Sequence, residues 1–220
     1  CFWFESRKIA HTSFERMIKM EFKDSQTKLN LMRAFAGESQ ARNRYTFAHG
    51  KALQQKLYVL AEAFKFTADQ EKEHAEIFYN HLKELTGQTI EIDGTYPVDV
   101  YDDMLGLLKS SKHNEYEEFE DVYPAFAKVA KEEGFPKIAA DFENIAKIER
   151  VHGQRFDKLA MLLENHELFA SQKEEQWLCL NCGHIHQGKQ APQMCPVCSH
   201  DQGYFIRVCQ APYTCEGMIS

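Results

Sequence analysis

The stretch Ala68-Asp69-Gln70-Glu71-Lys72-Glu73-His74-Ala75 decides how most of this chain folds. It lies in a stripe, Leu57, Leu60, Phe64, Thr67, Glu71, His74 and Phe78, whose steps of three and four residues trace one face of an α-helix. Spacing of three puts Glu71 and His74 on that same face, which the flanking apolar residues direct inward. A buried, unpaired carboxylate is too costly to persist, so Glu71 needs a partner. Further on, Glu149-Arg150-Val151-His152 repeats the pattern within Ile138, Phe142, Ile145, Glu149, His152, Phe156, Leu159 and Leu163. Two more stripes carry inward glutamates: Leu31, Ala34, Glu38, Ala41, Tyr45, Ala48, Ala52, and Met104, Leu108, Ser111, Glu115, Glu118, Val122, Ala125, Val129. Each stripe is long enough for a helix of roughly 30 residues, about 45 Å.

The breaks between stripes are legible. Gly87 closes the second helix, and Gln88 to Asp99, with Gly94 and Pro97, reads as a crossover that returns the chain along the bundle. Gly134 and Pro136 end the third helix and start the fourth. Pro124 falls inside the third helix and is expected to bend it.

One glutamate from each of two helices, plus Glu-x-x-His from each of the other two, is the donor pattern of di-iron and di-manganese carboxylate bundles. The spacing supports an internal repeat: Glu38 to Glu71 is 33 residues, and Glu115 to Glu149 is 34. Two antiparallel helix pairs would then bring all four levels together at mid-bundle. Five carboxylates, counting Glu118, are offset to within one charge by two divalent cations. A solvated glutamate face would account for one Glu-x-x-His, but not for two in register with apolar stripes. His49, His81, His113 and His166 lack such a context and read as surface or core residues.

The remaining composition bounds the rest. The 220 residues are 44% hydrophobic and 27% charged, ordinary for a globular chain that buries a core. No apolar run approaches the ~18 residues of a membrane span. A net charge of −7 argues against nucleic-acid binding. Six of the seven cysteines fall in the last 42 residues, which suggests a metal module attached to a different domain. Cys179-Leu180-Asn181-Cys182 and Cys195-Pro196-Val197-Cys198 are two knuckles that can hold one metal through four thiolates, and their spacing fits zinc or iron equally. Cys1, Cys209 and Cys215 have no partner spacing, and His184, His186 and His200 are surplus to a filled site. Residues 1–24 read as a weakly structured extension on a chain that begins with Cys1 rather than Met, with Met20 as a natural start. Residues 25–168 form the bundle, 169–176 a polar linker, and 177–220 the metal module.

These residues together resemble the rubrerythrin family. The most specific stretches are Ala34-Phe35-Ala36-Gly37-Glu38-Ser39-Gln40-Ala41-Arg42-Asn43-Arg44-Tyr45 and the opening octapeptide. Tyr123-Pro124-Ala125-Phe126-Ala127, Glu132-Glu133-Gly134, Glu149-x-x-His152 and Trp177-x-Cys179-x-x-Cys182-Gly183 add to them, and the match runs unbroken from about 28 to 208. The resemblance implies a mainly α chain: a ferritin-like four-helix bundle followed by a small rubredoxin-like β/loop domain. It implies a di-iron centre at Glu38, Glu71, His74, Glu115, Glu118, Glu149 and His152, and shifts the metal at Cys179, Cys182, Cys195 and Cys198 from zinc toward iron. It further implies a cytoplasmic peroxidase that reduces hydrogen peroxide to water. Its electrons would come from an NAD(P)H-dependent reductase or a separate rubredoxin, since the chain has no dinucleotide fingerprint.

Three expectations follow. His152 lies about 13 residues, roughly 20 Å, from the end of its helix, so the tail's iron should reach a mid-bundle site only in a head-to-tail homodimer or higher oligomer. Tyr45, seven residues from Glu38 on the same face, and Tyr123 are expected to orient ligating carboxylates, against the alternative of ordinary core packing. Reduction of both irons would leave the five carboxylates under-compensated, and an exchange of Glu118 for the neutral imidazole of His74 would restore the balance, at the positions to which the resemblance also points. The competing readings are a ferritin-type ferroxidase, which needs one glutamate on the third helix where this chain offers two, and a non-catalytic electron carrier or zinc-ribbon module.

Overall fold

The computed structural model describes residues 20–212 and Thr214; Cys1, Cys215 and most of the N-terminal extension lie outside the described residues. Ser25 starts the first helix, α1 (Gln26–Gln54), by accepting from the Lys28 N–H at 3.1 Å. Glu133, distant in sequence, completes the cap: its carboxylate accepts from the N–H groups of Gln26 and Thr27 at 2.9 and 2.8 Å and from the Thr27 hydroxyl at 2.6 Å. A tight turn, with Lys56 in the left-handed region at φ 58°, leads into α2 (Tyr58–His81). The expected crossover is present as an irregular segment. Asp99 pins it by accepting from Arg44 at 2.8 Å and Asn114 at 2.7 Å. Asp103 then caps α3 (Met104–Glu117) through the Gly106 N–H.

The third long helix differs from expectation. It consists of α3, a π-helical turn over Glu118–Val122, and α4 (Tyr123–Glu132). The Tyr123 N–H bonds to the Glu118 carbonyl five residues back. Proline has no N–H, and its ring collides with the carbonyl four residues earlier; the wider turn carries the helix past Pro124. Such a turn inserts one residue into the helical register. The stripe expected at Val122, Ala125 and Val129 is accordingly displaced, and Tyr123, Ala127 and Ala130 are buried instead. The other inward stripes sit where the periodicity places them, with Leu57 and Leu163 half-buried at their ends.

The last helix, α5 (Pro136–Glu164), packs along α3 and α4, as α1 packs along α2. Two apolar clusters fill the bundle. One is built around Tyr45, Phe64, Leu108 and Phe156, the other around Leu31, Phe78, Tyr123 and Phe142. The inward glutamates and histidines lie between them.

The expected linker is not one. Ser171 to Gln176 belong to β1 (Ala170–Cys179), which pairs antiparallel with β2 (Ile185–Gln190) and β3 (Phe205–Arg207) in the order β2-β1-β3. Main-chain ladder bonds need no apolar side chain, so a polar run can extend a ribbon: Ala170 pairs with Gln190 and Glu175 with Gly188, with a register irregularity between them. Trp177, Cys179, Ala191, Cys195 and Phe205 form this module's small core.

The module is seated on the α1–α2 turn of its own chain. Gly203 approaches the Lys56 carbonyl so closely that a Cβ there would lie 1.8 Å from the oxygen. Tyr204 stacks on Tyr58 with ring centroids 3.8 Å apart, and Lys56 reaches Asp201 at 3.0 Å. Arg207, stacked over Trp177, donates to the carbonyls of Glu167 and Ala170, both at 2.6 Å.

Candidate metal centres

Helices α1, α2, α3 and α5 each deliver a carboxylate to mid-bundle, and α2 and α5 each add an imidazole one turn on. The donors form two groups of four: Glu38, Glu71, His74 and Glu149, and Glu71, Glu115, Glu149 and His152, each with its ligand atoms within 4.8 Å of one another. Glu71 and Glu149 belong to both and divide their oxygens between them. His74 Nδ1 faces Glu71 Oε2 at 3.3 Å and Glu149 Oε1 at 2.9 Å, whereas His152 Nδ1 faces Glu71 Oε1 at 2.9 Å and Glu149 Oε2 at 2.8 Å. Glu38 Oε2 completes the first group, 3.8 Å from His74, and Glu115 Oε2 the second, 3.6 Å from His152.

These atoms are buried, yet none has a hydrogen-bond partner. In each group the four ligand atoms lie close enough together to surround one cation. The outer oxygens are satisfied crosswise: the Tyr123 hydroxyl donates to Glu38 Oε1, and the Tyr45 hydroxyl to Glu115 Oε1. Both phenols therefore orient carboxylates, although Tyr45 acts on Glu115 of the opposite helix pair and not on Glu38 of its own.

The electrostatics report the crowding of like charges. Burial, then the Glu149 carboxylate, pushes the Glu38 carboxyl well up; burial and Glu71 raise Glu115 to about 8. Burial opposes ionisation of Glu71 too, but the two histidines outweigh it and hold its pKa below the ordinary value. Burial disfavours the charged imidazoles, and the surrounding glutamates reverse this, so His74 and His152 both lie well above 6.5. Burial and adjacent carboxylates raise both tyrosines, which keeps them as donors.

In the small module, the two knuckles are related by local repetition. The Cys179 carbonyl accepts from Gly183 N–H at 2.8 Å and the Cys195 carbonyl from Ser199 N–H at 2.9 Å, with Gly183 and Ser199 both at positive φ. Cys179 and Cys198 sulfurs lie 3.8 Å apart, and those of Cys182 and Cys195 3.6 Å apart. A tetrahedron with metal–sulfur bonds of about 2.3 Å has edges of about 3.8 Å, so the four thiols fit a single metal. Burial raises the Cys198 thiol, but the His200 N–H and the neighbouring thiols bring it down to about 6.

Two family models match the chain, rubrerythrin over residues 30–160 and the rubredoxin-like domain of rubrerythrin over 177–206. The chain belongs to the rubrerythrin family. It is 45% identical over 184 residues to a rubrerythrin of Clostridium perfringens, covering 83% of this chain and 94% of that one. It is 39% identical over 183 residues to a rubrerythrin of Nitratidesulfovibrio vulgaris, with the same coverage. Among solved structures, it is similar to nigerythrin in its fully reduced, all-ferrous state, with a TM-score of 0.57, 27% identity, and coverage of 93% of this chain and all of the other.

Rubrerythrin donor sets are thus present twice over: a carboxylate and histidine set for a di-iron centre, and four cysteines for one further iron. Of the seven bundle residues expected as ligands, six converge, and Glu118 stands apart. It leads the π-helical turn, half-buried, with Oε1 4.0 Å from where a Cβ on Gly37 would lie. There it borders a cavity of about 290 Å³, together with Arg33, Arg44, Tyr96 and Tyr123. Burial, then the Glu38 carboxylate, raises its pKa well above the ordinary value. In the tail, Cys209 is an exposed free thiol, and His184, His186 and His200 stay outside the four-cysteine cluster; His200 Nδ1 lies 3.0 Å from the Cys198 carbonyl. His49 and His81 find ordinary partners in the Ala61 carbonyl and Asp141.

Sequence reasoning missed Gln70, Thr67 and Arg155, which lie behind His152. Gln70 Oε1 is 3.1 Å from His152 Nε2, and Arg155 Nη1 reaches Thr67 Oγ1 at 2.8 Å and Gln70 Oε1 at 3.2 Å. Arg155 follows His152 by three residues, which was the available signal.

Proposed function

We propose that the protein is a peroxidase that reduces hydrogen peroxide to water, with electrons from an NAD(P)H-dependent reductase or a rubredoxin passing through the four-cysteine iron to the bundle. The observation that carries this reading is Glu118, a seventh ligand-type side chain on the cavity wall beside a completed set of six. A site that only takes up and oxidises iron needs one glutamate from the third helix; a second one, set apart, gives the site two ligand arrangements.

The chain's residues divide the work. Glu71 and Glu149 would serve both ions, and Glu38 and Glu115 one each, with Tyr123 and Tyr45 fixing the orientation of these last two. One ion would exchange the charged carboxylate of Glu118 for the neutral imidazole of His74 on reduction, which would keep the charge of the site nearly constant. A bound, reduced pair of irons would supply the two electrons that, with two protons, convert one peroxide to two waters.

A head-to-tail dimer or higher oligomer in the cytoplasm completes the proposal. The module sits at Tyr58 of its own chain, 13 residues and so about 20 Å from Glu71 along α2; a partner's module laid against the bundle shortens that path. Among the described residues no helix is long and apolar enough to cross a membrane.

The deciding experiment is stopped-flow reaction of the fully reduced protein with peroxide and with oxygen, alongside metal analysis. Faster oxidation by peroxide with three irons per chain supports the peroxidase. Preference for oxygen supports a ferroxidase, and zinc in the tail supports a non-catalytic module. His74→Ala should load iron but slow the reduced protein's reaction with peroxide, and Glu118→Ala should destabilise the diferric form.

A further inference from the structure

The two histidines of the bundle site face their donor groups alike but differ on the far side of the ring. His152 is wholly buried, and its Nε2 meets Gln70 Oε1 at 3.1 Å. His74 is 5% exposed and faces Glu71 and Glu149 through Nδ1; among the hydrogen bonds of the described residues none involves its Nε2, in contrast to that of His152.

The chain of bonds behind His152 has only one consistent direction. The Thr67 hydroxyl donates to the Ala63 carbonyl at 2.9 Å, which leaves its oxygen to accept from Arg155 Nη1. A guanidinium only donates, so the Gln70 atom 3.2 Å from the same Nη1 must be the amide oxygen. That oxygen in turn can only accept, so His152 Nε2 carries its hydrogen and Nδ1 is left to face Glu71, Glu115 and Glu149. Arg155 is held in place by its stack over Phe66, with the guanidinium 5.0 Å from the ring centroid. Among the described residues its hydrogen bonds go to Thr67 and Gln70 rather than to the histidine or the ligand atoms.

We propose that Gln70 and Arg155 are positioning residues that lock the tautomer and angle of His152, and that His74 has no such lock. The inference rests on the di-metal reading of the bundle and extends it. Arg155 sets the orientation of the Gln70 amide, Gln70 sets the tautomer and angle of His152, and the asymmetry of the site is thereby built into α2 and α5 rather than into the donor groups, which are nearly symmetric.

The test uses full-length protein titrated with zinc, which is redox-inert, with ¹⁵N-labelled histidine for NMR. In the wild type, of the two bundle-site histidines only His152 is expected to show a slowly exchanging imidazole Nε2–H, distinct from that of His81 on Asp141, and none is expected from His74. Gln70→Leu should abolish the His152 signal and weaken one of the two bundle zinc ions by about 10- to 100-fold, the usual cost of losing a partner behind a metal ligand. Gln70→Glu, which still accepts, should restore both. Arg155→Met should weaken the same ion, and the double variant should bind no more weakly than Gln70→Leu alone, because Arg155 acts through Gln70. Additive losses, a slow Nε2–H on His74, or a His152 signal unchanged in folded Arg155→Met would each overturn the proposal. If Gln70→Leu fails to fold, the Arg155→Met and Gln70→Glu spectra decide it. A wild type that takes up no zinc in the bundle refutes the di-metal reading instead, so the two failures are distinguishable.

Discussion

Tyr123→Phe isolates one hydroxyl. The ring contacts with Phe78 and Phe142, at centroid distances of 5.4 and 5.9 Å, survive the change; what is lost is the donor to Glu38 Oε1. With metal bound, Glu38 is ionised, and a hydrogen bond to a charged group contributes about 1.5–3 kcal/mol. Without metal, burial pushes the Glu38 pKa up, the carboxyl takes a proton, and the bond becomes a neutral one of about 0.5–1.5 kcal/mol. The variant should therefore lose about 1–1.5 kcal/mol more in the loaded protein than in the metal-free protein. By linkage that difference is a loss of metal affinity of roughly tenfold, at 1.4 kcal/mol per decade. Urea unfolding of the zinc-loaded and metal-free forms measures both costs, and a zinc competition titration measures the affinity independently. In a chain of this size, the loaded form should melt about 3–12 °C lower, at about 2–4 °C per kcal/mol. Equal costs in the two forms, or a loaded cost under about 0.5 kcal/mol, would reduce Tyr123 to packing and refute the reasoning.

Glu133→Ala removes the part of the α1 cap that Ser25 does not supply and should cost about 1 kcal/mol at neutral pH. Burial opposes ionisation of this carboxyl, but Thr27 and Gln26 hold its pKa below the ordinary 4.5, so its contribution is present above that value and the penalty should vanish as pH falls through the folded pKa, as thermal unfolding at pH 7 and pH 3 will show. The metal-free protein should be most stable near the ordinary carboxylate value of 4.5 and should lose stability in a further stage above the ordinary imidazole value of 6.5. Raised Glu38 and Glu115, and raised His74 and His152, all make stability fall as pH rises, while lowered Glu71 makes it fall in acid; a stability maximum above pH 7 in denaturant titrations would contradict this. Gly203→Ala forces a Cβ against the Lys56 carbonyl and should unseat the module without unfolding the bundle, read as faster proteolysis between residues 165 and 176 at unchanged helicity.

The helices, their inward faces and nearly all the donors were legible in the linear chain, because the direction of a side chain on a helix depends only on its position modulo the turn. Glu71 and His74 share a face wherever that helix is placed, and each Cys-x-x-Cys knuckle presents its two sulfurs through its own local turn. The sequence also marked Glu118 as surplus. It did not show that Tyr45 serves Glu115, that Glu71 and Glu149 bridge the two groups, or that Gln70 and Arg155 stand behind His152. Those pairings depend on the axial offset and rotation of one helix against another, which the packing of Phe64, Phe156, Phe78 and Phe142 decides. The register beyond Glu118 was misread for the same kind of reason: a helical period is inferred by counting, and the π turn before Pro124 adds a residue that no local pattern announces. Likewise the polar run after Leu168 became a strand only because β2 supplied a partner, since a ladder's hydrogen bonds are made between segments and leave no trace in either one alone.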